Sequence, residues 1–468
     1  MRRFLLSAVG VASVLVVGAS LSGAGCDSPP LPPPPDGHQY LIRLGAPVAL
    51  GPDQVTQAHD QMAAQQLGFA VGEVSARIGD ENDQASAWYD AWLELLKHAL
   101  ADSVHCYPVT YLARNAAGER VPQTGMLYVP KRRIFDPRPY PVSLIAYPHG
   151  TELRRDRVPS NNDGDEWVFG AAAALFAGYA VAMPDLPGMG GDTSMYHPYC
   201  HAESLAYSVT DMIRAVQEGF GWELSQEYSW DGRLYILGYS EGGYAAMATV
   251  RELQLHAEQY DGLKITGSAC MAPPVDLTGA MRQMMIDPNR RFSRPFFLPY
   301  ILLGYHGVYP TRAFDPDVSI RPILMPDLLT WMDGQLSGSD ADVRIEQRMG
   351  VGAGEVVPRD MLAPDWVTAQ LDDAVYETSE VGRILAANNL WSGWRPDRPM
   401  LLMHSPDDDC VPYANSETTY NAFVAAGAGD LVRFYAIGNP GQGINHVAGA
   451  VIGIPSAIMW FRNECPKE

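Results

Sequence analysis

LYILGYSEGGYAAM, residues 234–247, decides how this chain is read. It opens on an apolar run, turns on glycine and continues into a helix-forming stretch, with Ser240 at the junction between Gly238 and Gly242. A strand–turn–helix of the form G-x-S-x-G holds its serine in strained backbone, and small neighbours are needed for strand and helix to approach. The start of the helix also directs free N–H groups at any oxyanion formed beside the serine. The stretch therefore predicts a nucleophilic serine, and no second G-x-S-x-G occurs in the sequence.

Working outward, strands and helices alternate. CYPVTYLARNAAGERVPQTGMLYVPK reads as a hairpin, followed by strand VSLIAY, helix EWVFGAAAALFAGY and strand AVAMP. Helix HAESLAYSVTDMIRAVQEGF, strand RLYILG, helix EGGYAAMATVRELQLHA and strand KITGSACM come next. After a long interruption the pattern resumes with MLLMHS, NSETTYNAFVAAG, LVRFYA and HVAGAVIGIPSAIMWFRN. Helical periodicity also runs through residues 57–101. Strands that are continuous apolar runs, alternating with helices, mean a mostly parallel sheet covered on both faces.

A serine hydroxyl is a weak nucleophile and needs a base, itself oriented by a carboxylate. Beyond PDDDCVP (406–412) one histidine remains, His446 in GINHVAG, between a strand and the last helix. That places it in a loop at the same sheet edge as the serine. The acid lies among Asp407, Asp408 and Asp409, and the residues alone leave the choice open.

These segments resemble an α/β-hydrolase and, within that fold, the secretory lipase/esterase group. The resemblance covers about residues 105–276 and 398–464. That group's D-x-x-V-P pattern matches Asp408-Asp409-Cys410-Val411-Pro412 and so selects Asp408 as the orienting acid. Its H-G-x element matches His149-Gly150-Thr151, and its aromatic-rich loop and helix match PDLPGMG and HPYCHAESLAYSVTDMIRA. Ser405 and Glu241 depart from residues common in the group, and neither change removes a catalytic group. The resemblance implies a Ser240–Asp408–His446 triad working through an acyl-enzyme, with the N–H groups of Glu241 and Thr151 cradling the oxyanion. It implies a small-molecule ester or lipid substrate and neither metal nor organic cofactor. A peptidase or amidase of the same fold and a non-catalytic binding relative are the competing readings.

The interruption from Leu277 to Arg398 is roughly 120 residues, far too long for a loop, and is expected to fold as a helical cap. RPFFLPYILLGYHGVYP and PILMPDLLTWM are apolar enough to line an acyl cleft or to form the cap's own core. The expected organisation is an export signal (1–25), a Pro-rich spacer (26–56), the hydrolase core (57–276), the cap (277–398) and the rest of the core (399–468).

At the N-terminus, Arg2 and Arg3 precede an apolar run and then Ser22-Gly23-Ala24-Gly25-Cys26. A charged start, apolar middle and small-residue exit make an export signal. Cleavage before Cys26 would permit its lipidation and membrane anchoring, with PPLPPPP (29–35) as a stiff spacer. Cleavage after Ala24 would release an unanchored protein, secreted or periplasmic. The six cysteines include no C-x-x-C pair, and Cys270 is expected to be a buried free thiol. His197-x-x-Cys200-His201 lacks a second half and makes a poor metal site. A formal charge of −21 and the absence of a basic stripe exclude nucleic acid as a partner.

Overall fold

The computed structural model describes residues 37–67, 74, 84–132, 138–260 and 262–465. The signal, Cys26 and the polyproline run lie outside the described residues.

Ten strands among the described residues form one sheet in the order β1-β3-β4-β6-β5-β7-β8-β9-β10, with β2 on β3. They are β1 (Leu41–Leu44), β2 (Val48–Leu50), β3 (Ser103–Arg114), β4 (Arg120–Lys131), β5 (Tyr140–Ala146), β6 (Ala180–Pro184), β7 (Tyr228–Tyr239), β8 (Ile265–Met271), β9 (Met400–His404) and β10 (Val432–Ala436). The hairpin β3–β4 pairs in unbroken register from Ser103↔Lys131 to Arg114↔Arg120. From β6 to β10 neighbouring strands are parallel, joined through β5, β7, β8 and β9. Parallel strands point their carboxyl ends one way, so the loops after β5, β6, β7, β9 and β10 gather at one edge.

Both faces of the sheet are buried, and the strand period of two sorts the side chains between them. Leu144 and Ala146, Leu234 and Ile236, and Met400 and Leu402 enter one core. Ile145, Tyr235, Leu237, Leu401 and Met403 enter the other. The first core is covered by helices Ala202–Gly221 and Glu241–Leu255, the second by Pro52–Leu67, Gln84–Leu95, Trp167–Ala172 and His446–Asn463. In the second core Tyr235 packs on Phe461 with ring centroids 4.7 Å apart. Such a pair adds about 0.5–1.5 kcal/mol beyond its burial.

Residues 277–398 hold eight α-helices: Ala280–Ile286, Phe297–Val308, Pro316–Ser319, Met325–Trp331, Gly338–Met349, Pro364–Leu371, Asp373–Thr378 and Glu380–Ala387. Their buried side chains, including Leu298, Leu303, Leu328 and Trp331, are continuous with the first core.

The sheet begins earlier than the composition suggests. Residues 41–56, grouped in sequence with the spacer, supply β1, β2 and the first turn of a helix. Strands of four and three residues are too short to show an alternation, yet Leu41 and Ile42 are buried against β3. Strand β7 likewise starts at Tyr228, five residues ahead of RLYILG.

Candidate active site

Strand β7 ends at Tyr239 and the next helix begins at Glu241, so Ser240 alone makes the turn. Its backbone sits at φ 58°, ψ −126°, a conformation that costs a non-glycine residue on the order of 1–3 kcal/mol. The neighbouring glycines explain how so tight a turn closes. A Cβ on Gly238 would lie 2.0 Å from the Gly242 carbonyl oxygen, and one on Gly242 would lie 2.3 Å from that of Pro148. Gly243 is equally constrained, at 2.4 Å from the Met271 carbonyl oxygen.

The structure brings Ser240, His446 and Asp408 into one chain of hydrogen bonds. The Ser240 hydroxyl lies 2.8 Å from His446 Nε2, and His446 Nδ1 lies 2.6 Å from Asp408 Oδ2. All three residues are buried. Burial alone would lower the His446 pKa, but the Asp408 carboxylate outweighs it and holds the imidazole above its ordinary value. For Asp408, burial pushes upward, while His446 and His404 pull the carboxyl far below the usual range. A hydroxyl, an imidazole and a carboxylate in this series form the arrangement that transfers a serine proton as the oxygen attacks.

Three successive aspartates divide the work of holding His446. Asp407 accepts from the N–H groups of Gly441 and Gly443 at 2.8 and 2.6 Å, anchoring the approach to the histidine. Asp408 faces the ring, and its other oxygen accepts from the N–H groups of Cys410 and Val411. Asp409 accepts from the His446 N–H at 3.0 Å and from Ser293 in the helical insertion. Ser405 donates to the Ile444 carbonyl at 2.6 Å, so this departure from the family pattern ties β9 to the same loop.

The second wall is the loop after β5. His149 directs its two ring nitrogens at the carbonyl oxygens of Gly150 and Asp185, linking this loop to the one after β6. The Gly150 N–H donates to half-buried Glu166 at 2.9 Å. Thr151, one residue on, lines the cavity that holds Ser240. Glu241 is the first residue of its helix, so its N–H has no acceptor within that helix. Residues from these two walls, with Arg294, Phe296 and Phe297 of the insertion, enclose a cavity of about 380 Å³. PILMPDLLTWM does not reach it; Leu324, Leu328 and Trp331 are core.

Sequence reasoning missed His404 and Glu166 and weighed His197 only as a metal ligand. His404 is fully buried, with Nε2 at 3.2 Å from Asp408 and 3.0 Å from the Val411 carbonyl, and Nδ1 at 2.8 Å from Ser416. Its signal was its place at the end of β9, four residues before the acid. His197 and His201 do not converge: His197 faces Glu241 and the Pro187 carbonyl, whereas His201 caps the next helix through Ser204. Cys270 is buried and free, as are Cys106, Cys200, Cys410 and Cys465.

Among solved structures, a protein of Legionella pneumophila named as a hydrolase is 23% identical, with a TM-score of 0.69 over 92% of this chain and 100% of its own. The rice cell wall degrading esterase LipA of Xanthomonas oryzae is 21% identical, with a TM-score of 0.68 over 91% of this chain and 97% of its own. Candida antarctica lipase A is 16% identical, with a TM-score of 0.53 over 78% of this chain and 79% of its own. The fold is that of the α/β-hydrolases. Residues 353–465 match the secretory lipase family model, and this stretch of the α/β-hydrolase carries Asp408 and His446. Over that stretch the chain thus resembles the secretory lipases in sequence. Among curated proteins, no sequence matches it.

Proposed function

We propose that this α/β-hydrolase is an exported serine hydrolase of carboxylic esters. The observation that carries the reading is the unbroken Ser240–His446–Asp408 chain, at 2.8 and 2.6 Å, with Ser240 facing the cavity. The Ser240 oxygen attacks the ester carbonyl as its proton passes to His446 Nε2, and Asp408 balances the resulting imidazolium. The oxyanion accepts from the N–H groups of Glu241 and Thr151, each donor contributing on the order of 3 kcal/mol. Collapse expels the alcohol, which takes the proton from His446. Water then attacks the acyl-enzyme with His446 again as base, returning Ser240 and releasing the acid.

The reading draws support from the esterase and lipase that share the fold and from the secretory lipase match. Export rests on the charged, apolar and small-residue segments of residues 1–25, and anchoring rests on Cys26. Phe296 and Phe297 offer an apolar wall to the acyl group, where each buried CH₂ contributes about 0.8 kcal/mol. Nitrophenyl esters of increasing acyl length, beside matched amides, test the proposal with wild-type protein and Ser240→Ala. Turnover should rise beyond acetyl, then stop when the cleft is full, and should vanish in Ser240→Ala. Efficient amide cleavage would replace the esterase with a peptidase, and turnover by folded Ser240→Ala would remove the nucleophile altogether.

A further inference from the structure

Glu241 poses an electrostatic problem. It follows the nucleophile directly, its carboxylate is buried, and its N–H is one of the two groups that would receive a developing oxyanion. An unbalanced negative charge so close would oppose the charge forming on the substrate. Among the described residues the side chain has one strong partner: His197 Nε2 at 2.5 Å. The other His197 nitrogen lies 2.7 Å from the Pro187 carbonyl oxygen, which can only accept. With an acceptor at each nitrogen, the buried ring is placed to donate twice as an imidazolium.

The other oxyanion wall is held by the same segment. Tyr199, two residues on, receives the Thr151 hydroxyl at 3.0 Å. The segment is clamped in turn by the insertion helix Phe297–Val308. Tyr300 stacks on the His197 ring at 5.8 Å and 26°, and its hydroxyl donates to the Glu152 carbonyl, next to Thr151. Tyr305 donates to the Cys200 carbonyl at 2.8 Å. A Cβ on Gly304 would lie 2.5 Å from the His197 carbonyl oxygen, so helix and segment touch backbone to backbone.

We propose that His197 is a positioning residue of the hydrolytic centre: it neutralises Glu241, fixes the helix start that presents the Glu241 N–H, and is itself seated by Tyr300 of the insertion. The inference rests on the oxyanion roles of Glu241 and Thr151 in the function proposed above. Docking of the helical insertion thereby reaches both oxyanion donors without the insertion touching either N–H.

The test separates charge from packing. His197→Gln keeps a donor but strands the Glu241 carboxylate; its kcat should fall about a hundredfold, the loss of one oxyanion donor, with KM within about threefold. Adding Glu241→Gln removes the stranded charge and should restore kcat to within about tenfold of wild type. A purely structural role would give no such rescue. Tyr300→Leu, which leaves the charge pair intact, should lower kcat about tenfold at unchanged KM, and it keeps the inference testable should His197→Gln fail to fold. Each protein is also assayed for phosphonylation of Ser240 by a fluorophosphonate, which needs the oxyanion site whatever the natural substrate. Wild-type labelling without ester turnover would defeat the esterase reading while the slowed labelling of His197→Gln still upheld its positioning role. Labelling and kcat of His197→Gln within threefold of wild type, or a double variant no better than the single, would overturn the inference.

Discussion

Replacing Gly242 with alanine probes the link between the turn and the oxyanion site. The new methyl would stand 2.3 Å from the Pro148 carbonyl oxygen and 2.9 Å from the carbonyl carbon and oxygen of His149, where ordinary contact begins at 3.4 Å. Both neighbours are backbone, so no side chain can swing aside. Relief requires a displacement of about 1 Å between the helix start at Glu241 and the loop that carries Thr151, and misplacement on that scale costs on the order of a hundredfold in kcat. That loss corresponds to about 2.7 kcal/mol of barrier. Overpacking should also lower stability by about 1–3 kcal/mol. The assay is kcat and KM on a nitrophenyl ester, with active enzyme counted by fluorophosphonate titration and folding followed by thermal melting. Gly221→Ala, whose methyl would meet nothing within 4 Å, is the matched control. A folded Gly242→Ala protein with kcat within threefold of wild type would refute the reasoning.

Among the three aspartates, Asp408→Asn should lower kcat about ten-thousandfold, whereas Asp407→Asn and Asp409→Asn should act mainly on melting temperature through the loop they anchor. Since Asp408 holds His446 above 6.5, the acid limb of kcat/KM, where the base is lost as pH falls, should lie above pH 6.5 and move down in Asp408→Asn. Burial pushes the Glu152 carboxyl in the cavity wall up to about 8 from 4.5, with Arg157 at 3.7 Å pulling the other way. An acid raised on folding adds stability that is full below pH 4.5 and lost as pH climbs through 8, so Glu152→Gln should flatten the stability profile over that window by at most a few kcal/mol. Parallel profiles for the two proteins would contradict this. Intact-mass analysis of the exported chain tests the anchor: a diacylglyceryl mass on Cys26, lost in Cys26→Ser, is expected, and a chain starting at unmodified Gly25 would refute it.

What the sequence disclosed follows from the range of each constraint. The turn at Ser240 is local: strand, glycines and helix are contiguous, and the close approach that requires Gly238 is to Gly242, four residues on. His446 was legible because chain order and the strand before it fix its edge of the sheet. Asp407, Asp408 and Asp409 were inseparable from the residues alone, because their different partners become neighbours only when β9 and β10 pair. His197 reaches Glu241 across 44 residues, and no periodicity records such a contact, whereas His404 stands four residues before Asp408 and is marked only by its place at the end of β9. The aromatic segments of the insertion read equally as cleft or core, and of their residues Arg294, Phe296 and Phe297 reach the cavity.

The position of the insertion has a consequence for biosynthesis. Ser240 precedes the eight helices, and His446, its proposed base, lies 206 residues further along the chain. At roughly 5–20 residues per second, the imidazole leaves the ribosome about 10 to 40 s after the hydroxyl. Throughout that interval the serine is an ordinary alcohol. The strand pair β9–β10, whose following loops carry Asp408 and His446, must then dock on a β8 edge that was already synthesised. With the proposed triad, hydrolytic power is withheld until the last strands are in place, so a chain that stalls or is cut before them carries the proposed nucleophile without its base.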